Sequence, residues 1–138
     1  MLRRLLESAL PWIKPANWPR KGGFKQSAEF IIWGVKGSLA KDRDLYLHGH
    51  FIASQPRKDR VHITRKPVEI TQQLVQICPE GGTVLDPFTG SGSTGIAALR
   101  EGRRFVGVEL SSHYADVAEQ RLHAELTRED FVLAGPEA

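Results

Sequence analysis

Cysteine occurs once in the 138 residues, at Cys78. That excludes an internal disulfide framework and a thiolate metal site, and leaves the side chain as a small core residue. Long apolar runs are also missing, since none approaches the roughly 20 residues that cross a bilayer. The opening MLRRLLESALPW is interrupted by Glu7 and Pro11 and lacks a convincing cleavage site, so the chain reads as cytoplasmic. There is no low-complexity tract and no internal repeat. With 41% hydrophobic and 25% charged residues, the composition is that of a globular chain rather than a disordered or fibrous one. The length suits one domain with a buried core and is too short for two ordinary domains.

The net charge of +3 hides an asymmetry. Residues 1–66 carry 14 Lys and Arg against 5 Asp and Glu, a balance of +9; residues 67–138 carry 5 against 11, a balance of −6. The first half therefore suits a polyanion, and Lys14, Arg20, Lys21, Lys25, Lys36, Arg57, Lys58 and Arg60 are candidates to neutralise phosphates. Each on its own is equally well read as a solvated charge.

Glu29–Val35 (EFIIWGV) is apolar, β-branched and aromatic between Gly22-Gly23 upstream and Gly37-Ser38 downstream, which predicts a buried strand. Residues 38–66 form an irregular connection with one short strand around Asp44–Leu47. Pro67 suits the first turn of a helix in which Ile70, Leu74 and Ile77 share a face, ended by Pro79 and Gly81-Gly82. Thr83–Asp86 reads as a strand, Gly90–Gly95 as a turn into a helix over Ile96–Leu99 stopped at Gly102, and Arg104–Glu109 as a second strand. Ser111 or Ser112 then caps a helix carrying Ala115, Ala118, Leu122 and Leu126 on one face. The tail FVLAGPEA is a fraying end or an added strand. This βαβα order favours an α/β sheet with parallel strands.

Gly90-Ser91-Gly92-Ser93-Thr94-Gly95 fits G-x-G-x-x-G after a strand and before a helix, with Glu109 at the end of the next strand. Glycines admit a ligand to the backbone, the helix start offers unpaired N–H groups, and a carboxylate can accept both hydroxyls of a ribose. A phosphate-binding P-loop is disfavoured because Ile96 stands where the lysine belongs. Asp86 disfavours a dinucleotide-dependent oxidoreductase, since its charge would repel a pyrophosphate; it suits the ammonium of S-adenosylmethionine, or that group's ordered water.

The run LDPFTGSGSTGIAAL resembles the cofactor motif of the DNA methyltransferases that modify adenine N6 or cytosine N4. The resemblance implies that Asp86, Pro87, Phe88, Gly90, Ser91 and Gly92 wrap the methionine part of S-adenosylmethionine. Thr64-Arg65-Lys66-Pro67-Val68-Glu69 resembles the family's Lys-Pro element, which places Lys66 and Pro67 beside the same moiety. Glu109 matches the ribose-binding acid, and Tyr114 with Arg121 matches a Tyr…Arg-Leu pattern in the following helix. Trp12-Ile13-Lys14-Pro15 and Glu29–Gly37 resemble a W-x-K-P loop and strand beside the target-base pocket, with Lys14, Arg20, Lys21 and Lys25 on the DNA side. The fold implied is a partial Rossmann-like S-adenosylmethionine-dependent methyltransferase with an incomplete sheet. Within this single partial domain, residues 1–37 form the target-side loop and strand, 38–63 the irregular connection and 64–138 the cofactor-binding part.

The family's catalytic loop is an Asp/Asn/Ser-Pro-Pro-aromatic segment, and the sequence contains no Pro-Pro pair. The motif order is that of the permuted subgroup in which the catalytic motif precedes the cofactor motif. The chain therefore reads as a C-terminal methyltransferase part that binds cofactor and DNA, inactive alone, with no catalytic residue of its own. An inactive remnant or a DNA-binding module is the alternative. A second chain or self-association would cover the faces that an incomplete sheet leaves bare. Trp12, Trp18 and Trp33 suit either base stacking or a core, and Phe88 either cofactor contact or packing. His48 and His50 form an H-x-H pair without further ligands nearby, so no metal is expected; His62, His113 and His123 read as surface or hydrogen-bonded residues.

Overall fold

The computed structural model describes residues 8–15, 20–37, 43–53 and 67–128. The chain divides into two compact units, Met1–Gln55 and Pro56–Ala138. No helix among the described residues is long and apolar enough to cross a membrane.

The first unit is a three-stranded sheet built from β1 (Ser8–Ile13), β2 (Ala28–Trp33) and β3 (Phe51–Ile52), in the order β2-β1-β3. β1 runs antiparallel to β2, with Ser8 opposite Trp33 and Ile13 opposite Ala28, and parallel to β3, with Trp12 opposite Phe51. A proline in a central strand needs a reason. Lys14 N–H donates to the Ser27 carbonyl at 2.7 Å. By the antiparallel alternation, Trp12 and Leu10 then also direct their backbone groups at β2. Pro11 faces the other way, where pairing with β3 begins only at Trp12, so its missing N–H interrupts no ladder bond.

The strand expected over Glu29–Val35 forms over Ala28–Trp33, and it is not buried. Phe30 and Ile32 are 67% and 62% exposed. They share a face with Ile13 and Ile52, and the buried pair Trp12 and Phe51 lies on the opposite face. The W-x-K-P segment is not wholly a loop, because Trp12 and Ile13 belong to β1. No strand forms at Asp44–Leu47; those residues are irregular, and the pairing with β1 is made by Phe51–Ile52 instead.

The second unit runs α1 (Val68–Val75), β4 (Thr83–Asp86), α2 (Ser93–Arg100), β5 (Arg104–Gly107), α3 (Ser112–Leu126). β4 and β5 are parallel, from Thr83 opposite Arg104 to Asp86 opposite Gly107. α1 buries Ile70, Thr71 and Val75. Ile77 falls outside the expected face and is 47% exposed, because its N–H bonds to Leu74 and that of Cys78 to Val75, tightening the exit to an i→i−3 turn and rotating the chain off the stripe. Gln72 and Gln76 donate their amides to the two oxygens of Glu101, at 3.1 and 3.0 Å, joining α1 to the end of α2.

α2 buries Gly95 to Ala98 and α3 buries Ala118. A Cβ on Gly95 would come within 2.7 Å of Leu122 on α3 and of Phe105 on β5, so the absence of a side chain sets the closeness of three elements. Opposite α2, Leu85 and Val106 lie side by side, 64% and 50% exposed, on a bare apolar face. The described residues thus form a mixed α/β fold with two small incomplete sheets.

Candidate cofactor site

Parallel strands deliver their C-terminal ends to one edge, where the connections to the helices diverge and leave room for a ligand. β4 ends on Asp86, whose carboxylate Oδ1 accepts the N–H of Phe88 at 3.0 Å and so turns the chain. Phe88 is 88% exposed; it packs in no core and is available to a ligand. Gly90 and Gly92 follow with φ of +53° and +81°, a region that side chains disfavour. No atom lies within 4 Å of where a Gly90 Cβ would stand, whereas one on Gly92 would meet Ala118 at 3.1 Å. The turn is therefore open on one side and pressed against α3 on the other.

Glu109 lies two residues beyond β5, which ends at Gly107 rather than continuing to Glu109. Its Oε2 accepts the Gly90 N–H at 2.8 Å, and its Oε1 accepts the Ser111 N–H at 3.0 Å. Ser111 occupies the N-cap position of α3 but makes no side-chain cap bond. The strand exits are further tied by Val108 N–H to the Asp86 carbonyl, 2.9 Å, and Thr89 N–H to the Val108 carbonyl, 3.0 Å. Arg121 Nη1 donates to the carbonyl of Ser91 and, at 3.0 Å, to its hydroxyl.

Asp86, Pro87, Phe88, Gly90, Ser91, Gly92 and Glu109 thus gather at one edge of the β4–β5 pair. Pro67 is buried at the start of α1, where its carbonyl accepts the Thr71 hydroxyl at 3.3 Å. Lys66 lies outside the described residues, as do Trp18, Arg57, Lys58, Arg60, His62, Thr64, Arg65 and the FVLAGPEA tail. Two features of the site were not assigned from sequence. One is the grip of Arg121 on Ser91, which a motif match alone does not reveal. The other is the Thr89 hydroxyl, buried without a hydrogen-bond partner among the described residues and seated where a Gly107 side chain would be.

The basic candidates separate by environment. Lys14 is buried at 7% exposure, ion-paired with Glu29, with its ammonium 4.3 Å from the centre of the Trp12 ring. That makes it a cation of the sheet and not the exposed phosphate contact expected of it. Arg20 and Lys21 are exposed, and Lys25 is exposed with its ammonium donating to the Pro15 carbonyl at 3.0 Å. Trp12 is 3% exposed with its indole N–H on the Ala53 carbonyl, so it is core rather than a stacking platform. Trp33 donates to the Ser8 hydroxyl at 2.7 Å. His48 and His50 are exposed, and no group of three metal-binding side chains occurs among the described residues.

The family model described as DNA methylase matches residues 3–120. A type II methyltransferase of Streptococcus pneumoniae, M2.DpnII, is 43% identical over 65 residues, covering 46% of this chain and 24% of that protein. The type II methyltransferase M.ScaI of Streptomyces caespitosus is 40% identical over 65 residues, covering 46% of this chain and 21% of that protein. Among solved structures, the M1.HpyAVI–SAM complex superposes with a TM-score of 0.70 at 29% identity, over 86% of this chain and 63% of that one. The chain thus spans less than two thirds of each of these proteins.

Proposed function

The chain belongs to the DNA methylase family, and from that premise we propose that it binds S-adenosylmethionine at the β4–β5 exits and serves methylation of an amino group of DNA, at adenine N6 or cytosine N4. The observation that carries this reading is the open Gly90–Gly92 turn held against two parallel strand exits by Glu109. A nucleoside ligand suits such an edge, and the acid beside it suits a ribose.

In this reading Asp86 faces the ammonium of the cofactor and the Gly90-Ser91-Gly92 backbone lies against its methionine part. Pro87 and Phe88 close the same loop, and Glu109 accepts the ribose hydroxyls. Lys66 and Pro67 stand at the methionine end. When bound, S-adenosylmethionine supplies a methyl group activated by its sulfonium. Arg20, Lys21 and Lys25 contact phosphates; Lys14, buried in its ion pair, does not.

With no Pro-Pro pair in the sequence, the aromatic-capped catalytic loop comes from a segment or partner chain outside these 138 residues. The chain then corresponds to the C-terminal part of a permuted enzyme and transfers no methyl group alone. Its bare Leu85–Val106 face is suited to such a neighbour.

Ultraviolet crosslinking with methyl-labelled S-adenosylmethionine tests the reading. Label should attach to the folded chain, be displaced by S-adenosylhomocysteine and not by NADH, and reach DNA only when a chain bearing the Pro-Pro-aromatic loop is added. Failure of the folded chain to take label would refute cofactor binding. Methyl transfer by the chain alone would refute the assignment of the catalytic loop elsewhere.

A further inference from the structure

α3 meets the preceding segment through one stripe, Ala118, Arg121, Leu122 and Glu125, at the i, i+3, i+4 and i+7 spacing of a helix face. Ala118 lies against Gly92, Leu122 against Gly95, and Glu125 pairs with Arg100 at 2.7 Å. Between these contacts Arg121 reaches Ser91, thirty residues earlier, with Nη1 donating to both its carbonyl and its hydroxyl.

Ser91 sits between two glycines of positive φ, residues whose backbone has the widest conformational choice. Two charges of opposite sign grip it. Glu109 takes the Gly90 N–H, and Arg121 takes the Ser91 carbonyl. The peptide units on either side of the Gly90–Ser91 bond are thereby fixed, so that bond is oriented too. Charge-assisted bonds of this kind exceed neutral ones in strength. A loop held in one conformation before its ligand arrives avoids the ordering entropy that binding would otherwise require.

We infer that Arg121 is a positioning residue of the cofactor pocket, acting from α3 through Ser91 to keep the glycine turn in its ligand-ready conformation. The inference rests on the cofactor reading above. Lysine carries the charge but lacks the planar fork, so Arg121→Lys should hold the loop less well than arginine and better than an uncharged side chain.

The test measures amide hydrogen exchange in the ligand-free chain and S-adenosylmethionine affinity by calorimetry, for wild type, Arg121→Met and Arg121→Lys. In Arg121→Met, the amides of residues 90–92 should exchange about tenfold faster while those of α2 and β5 stay protected. Cofactor affinity should fall about tenfold, as expected for loss of a hydrogen bond from a charged group. Arg121→Lys should recover part of both. If Arg121→Met fails to fold, Arg121→Lys decides, and unchanged exchange at residues 90–92 in that variant overturns the inference. Unchanged loop exchange and affinity in a folded Arg121→Met that still binds also overturns it, and leaves the cofactor reading standing. A wild-type chain with a protected loop that takes up no S-adenosylmethionine overturns the cofactor reading and the positioning role with it.

Discussion

Glu109 accepts the Gly90 N–H through one carboxylate oxygen at 2.8 Å and the Ser111 N–H through the other at 3.0 Å. One side chain at the exit of β5 therefore fixes both the glycine turn that follows β4 and the chain entering α3. Glu109→Gln replaces an acceptor by an amide donor facing a backbone N–H, and an unmet buried donor costs about 1–3 kcal/mol. The expected outcome is S-adenosylmethionine affinity lowered by about tenfold or more, read by calorimetry, with the far-ultraviolet circular dichroism unchanged.

Gly95 is where β5, α2 and α3 come closest. An added methyl would sit 2.7 Å from Leu122 and from Phe105, and neither neighbour is the free end of a flexible charged chain. Gly95→Ala should destabilise the protein by about 1–3 kcal/mol, the usual range for overpacking, in spite of alanine's better helix propensity. Urea unfolding measures this, and Leu122→Ala in the same chain should relieve part of it.

Arg100 and Glu125 form a bidentate pair at 2.7 and 2.9 Å, joined by Arg128 at 3.4 Å. Hydrogen bonding from Arg100 holds the Glu125 carboxyl below its usual value of 4.5, with the charges of Arg100 and Arg128 adding to the effect and burial opposing it. A folded-state value below the unfolded one means that the unfolded chain takes up the proton first as pH falls. The contribution of the pair is thus complete above about pH 4.5, declines below it and is gone once the pH passes beneath the folded value. Because Arg100 is 35% exposed, solvent screening keeps the contribution to about 0.5–1 kcal/mol. Glu125→Gln should lower stability at pH 7 by about 0.5–1 kcal/mol, lose that effect at low pH, and so flatten the fall in stability below pH 4.5.

Basic side chains of the first unit should respond to substitution in two distinct ways. Lys14, buried with Glu29 and over Trp12, is expected to lower stability by about 1–3 kcal/mol on Lys14→Ala. Arg20→Ala and Lys21→Ala should leave stability unchanged and each reduce the dependence of log Kd for DNA on log salt by about one. Fluorescence anisotropy over a salt series, alongside urea unfolding, separates the two behaviours.

The second unit was largely readable because its elements are punctuated locally. Thr83–Asp86 is a short apolar run between glycines and a proline, and its strand has those bounds. The glycines at 90, 92 and 102 mark turns that do adopt positive φ. Elsewhere the outcome depended on partners distant in sequence. β1 contains Pro11 and has no alternating pattern, so only its pairing with β2 and β3 makes it a strand. Lys14 looks like any loop cation until Glu29 and Trp12 are set beside it. Arg121 matches a pattern in sequence, but its bond to Ser91 comes from the winding of the βαβα unit. The apolar Phe30 and Ile32 read as buried because composition cannot say whether a second layer covers a sheet.

The most direct measurement is a calorimetric titration of the purified chain with S-adenosylmethionine, with Asp86→Ala and Glu109→Ala in parallel. Saturable binding by the wild type, lost in both folded variants, is the expected result. A folded wild-type chain that takes up no cofactor, or variants that bind as the wild type does, would contradict the assignment of the pocket to the β4–β5 exits.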